Sequence, residues 1–439
     1  MAMTSLLFAG LLVGAMQDLP ATPSPAPAPA PASEAQPAPR GPAIDTRIRA
    51  SIVADVLPRR DVAELRPQLG VLLTAAPTER VTASVDAQVD ALVADRNGRV
   101  TGISAQVRDG WIEWRGSTLD LRAGYGRVIW GRLDEIAPTD VINPIDTARF
   151  LLEGRSEARL AVPFARARFA PSDRFSVEGV LVPMARRGVF DEADEDTSPF
   201  NLMADAAVPP GAVLVPRERE QRLPARTWRN VSGGAKTQVT AGRVDVAASI
   251  YRGFDAIGPV VLEPGPVATL PAGRLVELHP RFTMMGVDAE TVTGPWAWRA
   301  EIATFVDRTL ARVSRPGVVR GRSLDAGLGV DRRVGDFHVF GSAVVHREWS
   351  SEDPEVARTD VNLVGSIDRT FGRDRYLARA FVVVNPGDAA AFLRGVLSWR
   401  MSDPLFLEAS AGTFTGTSDD TIGQFRTRDF LLLRLRCDF

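Results

Sequence analysis

The chain closes on Asp429–Phe439, which reads Asp-Phe-Leu-Leu-Leu-Arg-Leu-Arg-Cys-Asp-Phe. Counted back in steps of two, Phe439, Cys437, Leu435, Leu433 and Leu431 are all apolar. The residues between them, Asp438, Arg436, Arg434 and Leu432, are mostly charged. A period of two puts each set on its own face of a strand, so this strand has one oily and one ionic face. Two architectures use such strands. A soluble sandwich turns the oily face inward onto a second sheet, whereas a membrane barrel turns it outward to lipid.

The same period runs through the body of the chain. Val81, Ala83, Val85, Ala87, Val89, Ala91 and Val93 alternate with Thr82, Ser84, Asp86, Gln88 and Asp90. Trp296, Trp298, Ala300, Ile302, Thr304 and Val306 oppose Arg299, Glu301 and Asp307, and similar runs follow at Leu324–Val330 and Val361–Ile367. These runs exceed the common soluble strand of about 5–6 residues and suit a tilted membrane strand of about 9–11. Their apolar faces carry many Ala, Gly and Val, too small to fill a sandwich core. Trp111, Trp114, Trp130, Trp296, Trp298, Trp349 and Trp399 fall near run ends, as interfacial girdles would.

Connections sharpen the choice. Tight turns are predicted at Pro77-Thr78, Arg115–Ser117, Pro171–Asp173, Ala241–Arg243, Thr293-Gly294, Val334–Asp336, Phe371–Arg373 and Ser402–Pro404. Between them lie longer connections such as Leu133–Arg155, Ala185–Ala225, Phe254–Arg274 and Thr415–Arg426. Alternating short and long connections predict an all-β chain: a transmembrane antiparallel β-barrel of about 18 strands (roughly 16–18), with short periplasmic turns and long external loops.

The ends fit an exported protein. Ser5–Ala15 is an apolar run too short to span as a helix, with Val13-Gly14-Ala15 as a cleavage site, so residues 1–15 read as a signal peptide despite lacking a basic start. Residues 16–43 form a Pro/Ala-rich periplasmic linker, and 44–439 the barrel. The net charge of −2 gives no basic excess for nucleic acid. A lone cysteine, Cys437, excludes an internal disulfide and a cysteine metal site, and His279, His338 and His346 lack ligand spacing. No cofactor or metal is expected. No Gly-x-Ser-x-Gly or histidine cluster points to an enzyme. Arginine supplies the positive charge apart from one lysine, Lys236.

The closing strand resembles that of bacterial outer-membrane barrels, in which assembly machinery reads it. Phe439, Leu435 and Leu433 would then be the assembly signal. Residues Val107–Asp146 read VRDGWIEWRGSTLDLRAGYGRVIWGRLDEIAPTDVINPID. Trp111–Asp146, with a weaker echo at Ser176–Pro183, resembles a widespread family of porin-like outer-membrane proteins of Gram-negative bacteria. It is more distantly similar to polysaccharide-export and substrate-specific porins. The resemblance implies an outer-membrane channel with lipid, small-molecule solutes and assembly machinery as partners, and a homo-oligomer as one arrangement. The long Pro/Ala spacer departs from that pattern.

Within this stretch Asn143 suits a helix cap, Pro144 a first helical position and Gly154 a residue past the end, so Pro144–Glu153 is predicted as a short helix. Two placements compete. The loop either folds into the lumen, lining a constriction with Asp134, Asp140, Asn143, Asp146 and Arg149, or packs over the rim. Alternation turns Arg299, Glu301, Arg379, Arg394, Arg400, Glu408, Arg434 and Arg436 into the lumen. The arginines there read either as an anion-attracting ladder or as partners of neighbouring carboxylates. The favoured function is passive diffusion of small solutes, anionic ones among them, with loop 133–155 narrowing the lumen. The alternatives are a plugged structural or adhesive barrel, an export channel for a polymer or hydrophobic cargo, and a soluble periplasmic β-protein.

Overall fold

The computed structural model describes residues 43–58, 62–95, 99–134, 136–146, 158–189, 220–264, 273–313, 317–417, 420 and 422–439. The predicted signal peptide and nearly all of the linker lie outside them. Ala43, assigned to the linker, is the first residue of a strand.

The first half of the chain holds β1 (Ala43–Leu57), β2 (Val62–Thr78), β3 (Val81–Asp95), β4 (Arg99–Arg115), β5 (Leu119–Gly126), β6 (Val162–Ser172), β7 (Phe175–Val182) and β8 (Glu220–Arg222). Next come β9 (Ser232–Ala241), β10 (Val244–Phe254), β11 (Val260–Pro264), β12 (Gly273–Leu278), β13 (Arg281–Thr293), β14 (Trp296–Ala311) and β15 (Val318–Val334). The last are β16 (Phe337–Trp349), β17 (Arg358–Phe371), β18 (Tyr376–Asn385), β19 (Ala390–Arg400), β20 (Leu405–Thr415) and β21 (Phe430–Asp438). Eighteen of them form one antiparallel sheet, and β8, β11 and β12 form a separate small sheet. The large sheet closes on itself, because β1 pairs with β2 on one edge and with β21 on the other. Closure leaves no unpaired strand edge, which a strand in lipid cannot tolerate.

Both described ends of the chain lie at the end of the barrel with the tight turns: Ala43 faces Ala76, and the Ile48 amide donates to the Phe439 carbonyl. Eight tight turns join strands there. At the opposite, loop end, six of the nine connections are long, but those spanning 58–61, 96–98 and 386–389 are as short as the turns. The contrast in length is therefore partial. At the last of the three the Asn385 side-chain Oδ1 accepts from the Gly387 and Asp388 amides, closing the chain with a local turn.

Outward positions form a continuous oily belt. Ile48, Ile52, Leu65, Leu69, Val85, Val89, Met285, Ile302, Leu328, Leu363, Leu393 and Leu433 are all exposed. Soluble proteins rarely expose apolar patches beyond a few hundred Å². A belt around the whole wall is lipid-facing. At the turn end Phe371, Tyr376 and Trp399 stack at 5.3 and 6.1 Å, and Trp296 sits beside Trp298 at 6.1 Å, giving an aromatic girdle.

The interior differs between its two halves, which corrects the expectation that inward faces are ionic throughout. Toward the turn end they are. Toward the loop end Val53, Phe381, Val383, Phe392, Phe414, Phe430 and Leu432 turn inward and pack with Ile145, Ile422 and Phe425 from the loops. A second cluster joins Phe164, Tyr251, Phe282, Met284 and Phe305 to Val128, Trp130 and Ile142. Trp130, read as a girdle residue, is 2% exposed inside this cluster. Bulky inward side chains there pack against chain that re-enters the barrel, so alternation of oily and ionic faces fails at that level.

One backbone position is strict. Gly124 in β5 has φ +149°, and a Cβ there would sit 2.2 Å from the Gly110 carbonyl oxygen and 2.6 Å from the Trp111 Cα. Both obstacles are backbone of the paired strand. Gly124→Ala is expected to prevent closure, seen as loss of the heat-modifiable folded band on gel electrophoresis. A normal folded band would refute the requirement.

Candidate functional site

The candidate site is built where the segment between β5 and β6 meets the inward face of β9, β13, β14 and β15. Glu301 on β14 is 3% exposed. One of its oxygens accepts from the Leu133 amide at 2.6 Å and from the Arg132 amide. The other accepts from the Thr139 amide at 3.0 Å and the Thr139 hydroxyl at 2.8 Å. A buried carboxylate saturated by backbone donors is a strong anchor, because each bond is charge-assisted. Thr139 is fully buried.

Ion pairs extend the anchor. The Arg132 guanidinium contacts Asp288 and lies 3.0 Å from Glu290. Burial opposes its charge, but the hydrogen bonds and charges of Asp288 and Glu290 outweigh that and hold its pKa above the ordinary arginine value. Lys236 reaches Asp288 at 2.9 Å and donates to the Trp130 carbonyl. Arg299 binds Asp134 at 2.6 Å, Asp331 at 2.9 Å and Glu290 at 3.4 Å. Inward glycines make room: a Cβ at Gly327 or Gly329 would lie 2.5 or 2.7 Å from the Leu133 methyls. Of the two placements open from sequence, the described part of the loop occupies the inner one, against lumen-facing side chains.

Asn143 is not a helix cap. Its Oδ1 accepts from the Val128 amide at 2.7 Å, while Nδ2 donates to the Leu160 carbonyl at 2.8 Å and the Gly126 carbonyl at 3.3 Å. It pins the two stems of the loop together. The predicted helix does not begin at Pro144: Ile145 bridges to Arg159 and Asp146 to Val189 in extended pairing. Extended partners on both sides satisfy the backbone that a helix would otherwise have used. Arg149 and residues 147–157 lie outside the described residues. Asp140 pairs with Arg159 at 2.6 Å. Asn143→Ala leaves one amide and two carbonyls short of a partner, at about 1–3 kcal/mol for each group that stays dry. A fall of several degrees in the unfolding midpoint, read by heat-modifiability, is expected, and an unchanged midpoint would dismiss the pin.

The remaining predicted lumen residues gather elsewhere. Arg379, Arg394, Arg400, Glu408, Arg434 and Arg436 line one turn-end basin of about 1280 Å³. Ten arginines and seven side-chain carboxylates face it. Several are paired: Arg379 with Asp368 at 3.5 Å, Arg434 with Glu408 at 3.8 Å, Arg436 with Asp438 at 3.2 Å and Arg400 with Asp403 at 3.1 Å. Arg394 is buried, donating to the Ser410 hydroxyl at 3.3 Å with its guanidinium 5.9 Å from the Phe430 ring centre. Arg436 lies 4.5 Å over Phe406. The structure thus brings the predicted residues together in two groups, the anchored loop and the basin.

A smaller cavity of about 160 Å³ lies beyond the basin, bordered by Arg127, Asp146, Arg159 and Arg186 on the loop side. Gln68, Gln88 and Arg108 line both cavities. Arg108 donates to Gln88 at 2.9 Å and lies 3.7 Å from Asp86. Sequence reasoning missed Arg108, Arg127, Asp288 and Glu290. The inward parity of Met284, Gly286, Asp288 and Glu290 on β13 was the available signal for the last two.

A closed, even-numbered, antiparallel wall with an oily belt is the outer-membrane solution to spanning lipid with strands. The chain is an outer-membrane β-barrel. No family model matches it, and no curated protein does. Among solved structures it is similar to OccK5 (OpdH) of Pseudomonas aeruginosa, at 11% identity and a TM-score of 0.48 over 91% of this chain and 97% of that one. OccK7 (OpdD) of the same organism gives 10% and 0.46, over 91% and 98%. OmpF of Salmonella typhi, solved with daunomycin, gives 8% and 0.43, over 90% and 97%.

Proposed function

We propose that this barrel is a passive diffusion channel for small solutes with a preference for anions, and that the loop after β5 sets its narrowest point. The observation that carries the reading is the change in lumen along the wall of β2, β3 and β4. A basin of about 1280 Å³ gives way to a space of about 160 Å³ across the shared residues Gln68, Gln88 and Arg108. The narrow part is bordered on one side by Arg127, Asp146 and Arg159, in the stems of that loop. The basin's excess of arginine over carboxylate favours anions, because a low-dielectric wall concentrates the field in the lumen. No chemistry is required of the chain for this role. Phe439, Leu435 and Leu433 stand on the exposed outer face, where assembly machinery could read them before closure.

Purified protein in planar lipid bilayers tests the reading. Steady conductance steps with an anion-directed reversal potential in a salt gradient are expected. The apolar packing of the loop-end interior favours a second reading, a plugged structural barrel. Absence of conductance steps in folded protein would select the plugged barrel and reject the channel.

A further inference from the structure

The outer face of the wall carries a patch of arginines at the loop end, and strand register shows which way they point. Arg252 pairs with Thr283 and Phe254 with Arg281, so both arginines share the face of Ile250 and Met285, which is exposed to lipid. Arg322 pairs with Trp349 and Leu324 with Arg347, on the face of Leu328. The four arginines therefore sit outward on β10, β13, β15 and β16, a sector interrupted only by β14.

Among the described residues none of these four forms an ion pair. Arg281 lies 4.5 Å over the Phe254 ring, and its Nη2 donates to the Arg229 carbonyl at 2.9 Å. Arg252 makes a long hydrogen bond to the Thr283 hydroxyl at 3.4 Å. Asp307, at the bulge of β14, is paired with Arg320 at 3.4 Å. From β17 around the wall to β1 the outward residues at the loop end are uncharged: Val56, Val361, Val384, Ala391, Thr413 and Leu431. The patch has no counterpart on that arc.

Its height identifies what it meets. On β15 the outward residues between Arg322 and Arg332 are Leu324, Ala326, Leu328 and Val330. Arg332 lies 4.7 Å over Trp296, in the turn-end girdle. Ten residues at about 3.3 Å each span roughly 33 Å along the strand, or about 25 Å across a bilayer at a tilt near 40°, the height of the apolar band. Arg322 and its neighbours therefore stand in the opposite headgroup layer. Unpaired guanidinium groups held in that plane face lipid headgroups at high local concentration, and their planar forks match phosphate oxygens two at a time. With the loops facing outside the cell, that layer belongs to the outer leaflet.

We propose that Arg252, Arg281, Arg322 and Arg347 form a binding site for the phosphates of an outer-leaflet lipid, whose acyl chains lie along Ile250, Met285 and Leu328. The test uses the full chain in detergent, with lipid A as the probe and binding read by native mass spectrometry. The variant R252Q/R281Q/R322Q/R347Q is expected to bind lipid A about tenfold more weakly, and enzymatically dephosphorylated lipid A to bind the unaltered protein about tenfold more weakly. R332Q/R369Q, which removes outward arginines at the turn end, is expected to leave binding unchanged. The heat-modifiable band reports folding. Should the fourfold variant fail to fold, R252Q/R281Q and R322Q/R347Q are each expected to weaken binding about threefold. Equal binding by the fourfold variant or by both double variants, an equal loss in R332Q/R369Q, or full displacement of lipid A by excess inorganic phosphate would overturn the site.

Discussion

Glu301→Ala is expected to raise the single-channel conductance at least about twofold and to make it noisy, because it frees residues 132–139 of the loop whose stems border the narrow space. The carboxylate takes the amides of Arg132, Leu133 and Thr139 and the hydroxyl of Thr139. Without it four donors lose their acceptor inside the wall. Each donor left dry costs about 1–3 kcal/mol, whereas rehydrating them in the lumen removes that cost. The least costly response is for residues 132–139 to leave the wall. The remaining polar ties, Arg132 to Asp288 and Glu290 and Arg299 to Asp134, hold the segment by side chains only. Those are long and flexible, so the freed loop fluctuates rather than settling. A steric route to the same end separates loop release from loss of charge. Gly327→Ala would put a methyl 2.5 Å from the Leu133 Cδ1 and push the loop off without touching Glu301. Both variants are expected to move conductance in the same direction. If both fold and neither changes it, the loop does not set the narrowest point.

The wall was legible in the sequence because lipid imposes one rule on every strand. A side chain facing lipid must be apolar whatever its neighbours are, so the period of two survives without tertiary information. The eight tight turns were readable for a similar reason, since Gly242, Gly294, Gly335 and Gly372 take positive φ there. The interior obeys no such rule. Inward side chains meet water near the turn end and re-entrant chain near the loop end, so Leu432 and Phe430 are as suitable there as Arg434 and Arg436 further along the same strand. Trp130 was misplaced for that reason: its position near strand ends said nothing about a loop folding back inside. Asn143 and Pro144 satisfied the local grammar of a helix start, but cross-loop bonds to Val128 and Leu160 outcompeted it. Gly327 and Gly329 on inward positions were the overlooked sign that something packs closely against that wall.

The second large effect concerns charge. In R379Q/R434Q/R436Q the basin would hold seven arginines against its seven carboxylates in place of ten against seven. The anion preference is expected to fall to near none, seen as a reversal potential moving close to zero in a potassium chloride gradient. Pairing does not cancel the expected effect. Arg434 stands 3.8 Å from Glu408 and Arg379 3.5 Å from Asp368, distances at which each pair still leaves the wall's net charge unchanged. Removing the arginines also uncovers those carboxylates to the lumen, which adds to the shift toward cations. Screening supplies the internal control. At 0.1 M salt the Debye length is about 10 Å, enough for the wall to act across the basin, whereas at 1 M it is about 3 Å. The selectivity difference between the unaltered protein and the variant should therefore be large in dilute salt and nearly vanish in concentrated salt, while conductance in concentrated salt stays similar. A difference that persists at 1 M would mean that size at the narrow space, and not the field of the basin, decides which ions pass.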